Sequence, residues 1–290
     1  MAFKSSSIAY RRFKDKGFNL LVIVFSALAA VPLVAIIAEV VVKGYRQINF
    51  SFFTEVAPTT LDAMMAKESG ELISGGIANG ITGTLLMVFV AAVVSIPLGI
   101  LGGVYLYERP RGVFSSFVRF STELIQGTPS IIIGVIVYYW VVVPLGGYSA
   151  LAGSVALMIM MLPLIVRSTE ETLKMLPASL KEAALALGGS YSSTITKVML
   201  PSAFNGIFTG TLLSISRVMG ETAPLMLTAL GSSIINWKMS NPTSSVSLLI
   251  WEFYNDPNLA DLIWSTSLFL LIIILTLNIL AKYIAKRQNG

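Results

Sequence analysis

Six apolar runs, each near the length of a membrane span, constrain this chain more than any other feature. They lie near residues 18–42, 81–106, 124–143, 149–166, 203–230 and 262–281. A helix needs about 20 predominantly apolar residues to cross a hydrocarbon core about 30 Å thick. Because backbone N–H and C=O groups cannot remain unpaired in lipid, these runs predict helices. The sequence therefore predicts an all-α integral membrane protein with about six transmembrane helices.

The composition excludes several classes of protein and site. Hydrophobic residues make up 55% of the 290, charged residues make up 12%, and the mean hydropathy is +0.79. Such values are too apolar for a soluble domain of this length. The chain has no Cys and no His, which excludes disulfides, catalytic Cys–His pairs and thiolate or imidazole metal sites. We therefore predict no metal site and no catalytic residue.

The apolar runs also divide the chain into segments. Residues 1–17 form a predicted cytoplasmic N-terminal segment, and residues 18–285 form a single transmembrane domain. Its connections include a partly helical extracytoplasmic loop at 43–76 and a cytoplasmic loop at 167–200. A cleaved signal peptide is the alternative for the first run, but that run is too long and lacks a convincing Ala-x-Ala-like site. We interpret it as an uncleaved first span.

The distribution of Lys and Arg predicts the orientation of these spans. Basic residues are concentrated in the segments that are cytoplasmic if both termini lie inside, as the positive-inside rule requires. The inside set is Lys4, Arg11, Arg12, Lys14, Lys16, Arg109, Arg111, Arg119, Arg167, Lys174, Lys181, Lys197, Lys282, Lys286 and Arg287, and the outside set is Lys43, Arg46, Lys67 and Lys238. The sequence thus predicts a multi-pass protein of the plasma or inner membrane with cytoplasmic termini. Its net charge of +5 requires no nucleic-acid partner.

The cytoplasmic loop carries a pattern typical of two short helices. Leu180, Ala183, Ala184 and Leu187 fall on one face at helical spacing, and Gly188-Gly189 provides a stop where positive φ is allowed. A second stretch, 190–199, leads to Pro201, which suits a first helical turn. An apolar helical face outside lipid needs another protein to cover it.

This loop resembles the EAA loop of type I ABC importer permeases. The shared residues are Glu182, Ala183, Ala184, Gly188, Leu200 and Pro201, and the departure from the family pattern is Val198 in place of Ile. The resemblance implies that the loop binds a nucleotide-binding subunit; an ordinary amphipathic loop is the alternative. Because the chain lacks a Gly-x4-Gly-Lys-Ser/Thr phosphate loop, Mg–ATP is expected to be used by a separate ATPase, and this chain is expected to bind no cofactor.

The fifth apolar run contains charged residues that indicate a transport pathway. Burying Arg or Glu at mid-membrane costs about 2.5–3.5 kcal/mol on insertion scales, so neither Arg217 nor Glu221 should face lipid. The two are four residues apart, and Ser214 and Thr211 are predicted to continue their stripe along a pore. Arg suits a tetrahedral oxyanion, because its planar fork donates two parallel hydrogen bonds. A purely structural ion pair between helices is the alternative.

The same run resembles the phosphate permease family called PstA. The similar segment is Arg217 to Leu225, and Gly75 to Thr84 and Ile96 to Gly99 support it; the similarity covers roughly residues 50–285. The resemblance implies a related second permease, PstC, two copies of the ATPase PstB, and the extracytoplasmic phosphate-binding protein PstS. It also implies that Arg217, with Glu221 beside it, belongs to the phosphate pathway.

Polar residues at the start of the third run have two interpretations. Glu123, Gln126, Thr128 and Ser130 either line a mouth of the pathway or cap a helix, and capping is the favoured interpretation.

Three function classes remain open on the sequence. The leading class is a phosphate permease subunit, with a sulfate or molybdate permease as a close variant. A self-powered secondary transporter or channel would not need a coupling loop. An intramembrane enzyme lacks support, because no nucleophile–base pair and no metal-ligand set is present.

Overall fold

The computed structural model describes residues 8–286 and consists of helices and their connections. The helices are α1 (Ile8–Gly44), α2 (Phe50–Thr54), α3 (Thr60–Ser69), α4 (Ala78–Glu108), α5 (Val113–Gly127), α6 (Ser130–Val137), α7 (Val143–Leu145), α8 (Ala150–Met175), α9 (Ala178–Ala186), α10 (Tyr191–Thr194), α11 (Leu200–Met219), α12 (Ala223–Met226), α13 (Val246–Tyr254) and α14 (Ala260–Lys286). π-helical turns at Tyr138–Val142 and Ile195–Met199 join α6 to α7 and α10 to α11. Residues 1–7 of the predicted N-terminal segment, with Lys4, and Arg287 lie outside the described residues.

Five of the helical segments are long and apolar enough to cross a membrane, and a sixth span results if one bent pair is counted. The five are Lys14–Gly44, Ala78–Glu108, Ala150–Met175, Tyr191–Met219 and Ala260–Ala285. The bent pair is Val113–Gly127 with Ser130–Leu145, whose axes differ by 107°. The predicted all-α membrane fold with about six spans is confirmed.

The third predicted span, 124–143, is wrong as a continuous helix. Residues up to Gly127 belong to α5, and α6 starts only at Ser130, after the sharp bend. Thr128 has φ −82° and ψ 134°, which is extended rather than helical. The residue before a proline avoids the helical region, so Pro129 accounts for the break.

The fifth predicted span, 203–230, is also wrong at its end. Helix α11 stops at Met219, and the single turn α12 follows with Pro224 near its start. The chain then returns through an irregular segment to α13, a nine-residue helix that the sequence analysis did not predict. A smaller difference is that α8 continues to Met175, beyond the predicted end at residue 166.

The centre of the bundle is the contact between α4 and α8. Gly99 and Gly103 of α4 face Ile165 and Thr169 of α8, and a Cβ atom at Gly103 would lie 2.5 Å from the Cβ of Thr169. Small residues let membrane helices approach closely and gain van der Waals contact where the hydrophobic effect is weak. Helix α1 packs mainly against α14, where the Ser265 hydroxyl donates to the carbonyl of Gly44 at 2.6 Å.

A second core lies at the end of the bundle where α4 begins. The fully buried Phe52 of α2 packs there with Ile77, Leu249 and Phe253. The amide of Asn79 connects two further segments, since its oxygen accepts from the Ala57 N–H at 3.1 Å and its nitrogen donates to the Ser232 carbonyl at 2.7 Å. These contacts hold the segment between α1 and α4, and the segment before α13, against the start of α4.

The α4–α8 contact gives a stability prediction. Gly103→Ala should destabilise the protein by about 1–3 kcal/mol, because the added methyl has no space and the core must shift. Thermal unfolding in detergent measures the loss. Gly17→Ala in α1 is the matched control, since nothing lies within 4 Å of a Cβ at that position. Equal melting temperatures for the two variants would contradict the packing described here.

Candidate functional site

Arg217 and Glu221 lie on either side of the break that ends α11. Arg217 is in the last turn of the helix, and Glu221 follows Gly220, its C-terminal cap. The Arg217 Nε and the Glu221 Oε1 are 3.9 Å apart, and the side chains are 50% and 19% exposed in the isolated chain. This distance exceeds that of a hydrogen bond. The two charges therefore attract each other, while the guanidinium donates no hydrogen bond within residues 8–286 and can bind another oxygen.

A small polar pocket surrounds this pair. It has a volume of about 120 Å³ and is lined by Gln126, Thr128 and Ser130 together with Arg217, Glu221, Ile125 and Met160. The polar side chains of the other wall come from the bend between α5 and α6. The polar pocket is thus formed where two broken helices bring an amide and two hydroxyls to the guanidinium.

This arrangement corrects the capping interpretation of the third run. Helix α6 starts without a side-chain cap, and the Thr128 hydroxyl donates to the Leu124 carbonyl within α5 at 2.6 Å. Gln126, Thr128 and Ser130 line the pocket of Arg217 instead. The signal that favours this role is a Thr-Pro-Ser sequence inside an apolar run, where a helix break exposes polar groups at membrane depth.

A larger opening, the main cavity, continues from Arg217 between α8 and α11. Its volume is about 730 Å³, and Arg217, Ser214, Ser168, Arg167 and Glu171 are among the residues that line it. Ser214 is completely buried, and its hydroxyl has no hydrogen-bond partner within residues 8–286. Of the predicted stripe, Ser214 and Arg217 line the main cavity, and Glu221 lines the adjoining polar pocket.

Thr211 does not join them. It lines a separate apolar opening with Ile96, Ile100 and Phe204, and its hydroxyl donates to the Ile207 carbonyl at 2.9 Å. The structure thus gives Thr211 no contact with the cavity of Arg217.

A further cavity of about 180 Å³, the charged cavity, adjoins the main cavity and is lined by several charged side chains. Its buried Glu170 accepts hydrogen bonds from Arg119 at 2.6 Å and from Lys174 at 2.5 Å. Gln126 lines this charged cavity, the main cavity and the polar pocket. It therefore lies where the three cavities meet.

The EAA segment, here residues 178–201, forms the two short helices and the glycine corner expected from the sequence. Gly188 has φ +81°, a conformation that side chains with a Cβ rarely adopt. Glu182, Ala183 and Pro201 are exposed, while Ala184 and Leu200 are half-buried. Leu187 is 90% exposed, so the segment presents an apolar side chain with nothing covering it among the described residues.

One ion pair ties this segment to the bundle. The Lys181 ammonium of α9 lies 2.8 Å from the Glu108 carboxylate at the end of α4, and it also lies over the rings of Tyr107 and Tyr191. The side chains are 25% and 9% exposed. A pair so shielded from water resists separation, so α9 and the end of α4 should move together.

Comparison with known proteins gives the family. The sequence profile of the binding-protein-dependent transport system inner membrane components matches residues 95–290. A phosphate transport system permease protein PstA of Yersinia pestis is 34% identical over 285 residues, covering 97% of this chain and 93% of the relative. The chain belongs to the PstA family of membrane permeases.

Other relatives agree over similar lengths. The probable phosphate transport system permease protein PstA of Methanocaldococcus jannaschii is 33% identical and covers 95% of each chain. The PstA protein of Mycobacterium leprae is 34% identical, covering 96% of this chain and 91% of the relative. Together with its apolar helices, this membership makes the chain a multi-pass membrane protein and a permease subunit of ABC transporter type.

Solved structures agree on the fold. A chain of the inward-facing MetNI methionine ABC transporter superposes with a TM-score of 0.59 at 23% identity, covering 72% of this chain and 94% of that one. A chain of an amino acid ABC transporter gives a TM-score of 0.50 at 17% identity and covers 80% of this chain. The permease therefore has the type I ABC importer fold.

The Lys181–Glu108 pair gives a prediction that is independent of substrate. Lys181→Glu should destabilise the EAA segment by about 1–3 kcal/mol, less than a fully buried pair, because a quarter of the Lys181 side chain is exposed. Faster proteolysis within residues 178–190 measures the change. The exchanged double variant Lys181→Glu/Glu108→Lys should recover most of the resistance, whereas no recovery would argue against the pair.

Proposed function

We propose that this chain forms half of the translocation pathway of an ATP-driven importer for inorganic phosphate. The observation that carries the proposal is the polar pocket, in which Arg217, Glu221, Thr128, Ser130 and Gln126 meet at two helix breaks. The PstA relatives support the choice of phosphate. We infer that Arg217, Glu221 and Ser214 line the pathway, and that Thr211 supports its wall from behind.

The chemistry of the pocket fits a small oxyanion. A guanidinium donates through a planar fork to two oxygens of a tetrahedral anion and stays charged at any physiological pH. The Ser130 hydroxyl and the Gln126 amide can complete the shell of donors, while the Thr128 hydroxyl, which donates to Leu124, can only accept from a protonated phosphate oxygen. Glu221 attracts Arg217 when the site is empty, so the bound anion is released instead of trapped.

Glu221 also gives a reason to prefer phosphate over sulfate. At neutral pH inorganic phosphate carries at least one proton and can donate a hydrogen bond, whereas sulfate and molybdate carry none. An ionised carboxylate only accepts hydrogen bonds. Phosphate can therefore donate to Glu221, while sulfate meets an unpaired negative charge and is disfavoured.

The same proposal assigns partners and orientation. We infer that a PstC-like permease supplies the other half of the pore and that a PstS-like protein delivers phosphate from outside. A PstB-like ATPase dimer, using Mg–ATP, would bind the EAA segment around Glu182, Ala184 and Gly188. Both termini and the EAA segment would then be cytoplasmic, which agrees with the basic residues in these segments. The chain itself would bind no cofactor and no metal.

Uptake of labelled phosphate by cells that carry the complete transporter tests the role of Arg217. Arg217→Gln should reduce uptake by tenfold or more, since one charge-assisted hydrogen bond to the anion contributes about 1.5–3 kcal/mol. Arg217→Lys should retain only part of the activity, because an ammonium lacks the planar fork. Uptake near that of the wild type in both variants would contradict a pathway role. Uptake by the chain reconstituted alone would instead favour a self-powered transporter.

Competition by sulfate tests the role of Glu221. In the wild type, excess sulfate should leave phosphate uptake nearly unchanged. Glu221→Gln removes the negative charge and adds a donor, so sulfate should become a competitor, with roughly tenfold lower discrimination. Strong sulfate competition in the wild type would overturn the choice of phosphate. Unchanged discrimination between phosphate and sulfate in the variant would show that Glu221 does not recognise the proton of phosphate.

A further inference from the structure

The main cavity contains a second arginine–glutamate pair, on α8. Arg167 donates through Nε to Glu171 Oε1 at 2.9 Å, and the two side chains are 59% and 60% exposed. Like Arg217 and Glu221, they are four residues apart on one helix. Arg167, Glu171 and Arg217 all line the main cavity.

The packing of α8 against α11 gives the separation of Arg167 and Arg217 along the bundle axis. A Cβ at Gly206 of α11 would meet Thr172 of α8, and one at Gly210 would meet Ser168, so the helices are antiparallel in a constant register. Extending that register places Arg217 level with Met161, six residues from Arg167. At 1.5 Å per residue the two arginines are separated by about 9 Å along the bundle. In the same register Ser214 lies beside Leu164, at a height between those of Arg217 and Arg167.

We propose that Arg167 forms a second oxyanion-binding site, which receives the anion from Arg217 part-way along the main cavity, in the direction of the EAA segment. The inference rests on the proposed function, since it assumes that an oxyanion passes through this cavity. A separation of about 9 Å is short enough for the long side chains of both arginines to reach into one cavity, so the anion is never far from a guanidinium.

The hydrogen bonding of Arg167 leaves it able to bind an anion. Only its Nε is used, by Glu171, and it makes no other hydrogen bond within the described part of the chain. The remaining donors of the guanidinium point away from that bond and can bind two oxygens side by side. Glu171 competes for the same cation, which limits how tightly an anion is held and allows release.

The other cations nearby are less suited to this role. Arg119 and Lys174 both bind the buried Glu170, and Arg119 also donates to the backbone carbonyls of Pro110 and Leu106. The donors of Arg119 and Lys174 are therefore engaged in contacts within the bundle. A pair as exposed as Arg167 and Glu171 contributes little to stability, so a purely structural role accounts poorly for its position in the cavity.

Phosphate uptake by the complete transporter in cells gives the first test. Arg167→Gln should lower the maximal rate of uptake about tenfold, as expected for loss of one charge-assisted hydrogen bond, with little change in half-saturation, because capture occurs elsewhere. Glu171→Gln breaks the same ion pair but leaves the cation, so it should slow release of the anion and lower the rate of uptake less than Arg167→Gln does. Arg111→Gln, an exposed cation outside the cavity, is the control and should be unaffected. Equal losses in Arg167→Gln and Glu171→Gln would overturn the proposal, since they would show that only the pair matters.

The absence of cysteine from the chain allows a second test. Arg167→Cys introduces a single thiol, which a methanethiosulfonate reagent carrying an ammonium converts into a cation. Uptake should recover at least several-fold with this reagent and should not recover with the anionic sulfonate reagent. Wild type and Arg111→Cys, treated in the same way, control for reaction elsewhere. Recovery with both reagents, or with neither, would contradict an anion site at Arg167.

These outcomes are separable from failure of the proposed function. The wild type is assayed with phosphate, sulfate and molybdate. If it imports sulfate or molybdate instead of phosphate, the choice of substrate is wrong, and the ratio of Arg167→Gln to wild type for the imported anion still decides the second site. If it imports phosphate and Arg167→Gln does so at the same rate, only the second site is wrong.

Discussion

The site depends on a close contact between two interrupted helices. A Cβ atom at Gly134 of α6 would lie 2.8 Å from the Cα of Pro224 in α12, so the backbones nearly touch. Each helix follows a break, at Thr128-Pro129 and at Gly220-Glu221. Irregular backbone at membrane depth is tolerated only where protein or a polar cavity surrounds it. Bringing the two breaks together meets this condition for both, and it places their polar side chains in one pocket.

Hydropathy predicted the membrane fold well but could not locate these breaks. Pro32, Pro97 and Pro163 lie inside continuous helices, whereas Pro129 and Pro224 follow helix ends. A proline in a membrane helix removes one hydrogen bond, and neighbouring helices decide whether the helix bends or stops. That decision is made by tertiary contacts, such as the one between Gly134 and Pro224, which a single sequence does not reveal. Helix α13 was not predicted because it has only nine residues and is flanked by irregular segments.

Only part of the candidate site could be predicted, because the direction of each side chain depends on helix geometry and on tertiary contacts. A helix turns about 100° per residue, so steps of three fall about 60° short of a full turn. Thr211 is two such steps from Arg217 and therefore points about 120° away, into the apolar opening. Ser214 is one step away and still reaches the cavity. The position opposite Arg217 could not be predicted for Gln126, Thr128 and Ser130, because it requires knowing that α6 packs against α12. The Thr-Pro-Ser sequence inside an apolar run nevertheless marks this segment as unusual.

The cavities and the EAA segment share one structural element, which is α4 packed on α8. Lys181 links α9 to Glu108 at the end of α4, and glycines of α4 lock it against the helix that carries Arg167. A close-packed contact of this kind transmits displacement and does not absorb it. A force on α9 therefore reaches the wall that holds Arg167, and it reaches Arg217 by a second route, through the π-helical turn that joins α10 to α11. If α8 and α11 shift relative to each other, the distance between the guanidinium groups of Arg167 and Arg217 changes. The relative affinity of the two groups for a shared anion then changes as well. Under the proposed function, an ATPase bound to the EAA segment would act on the anion through these contacts, without touching it.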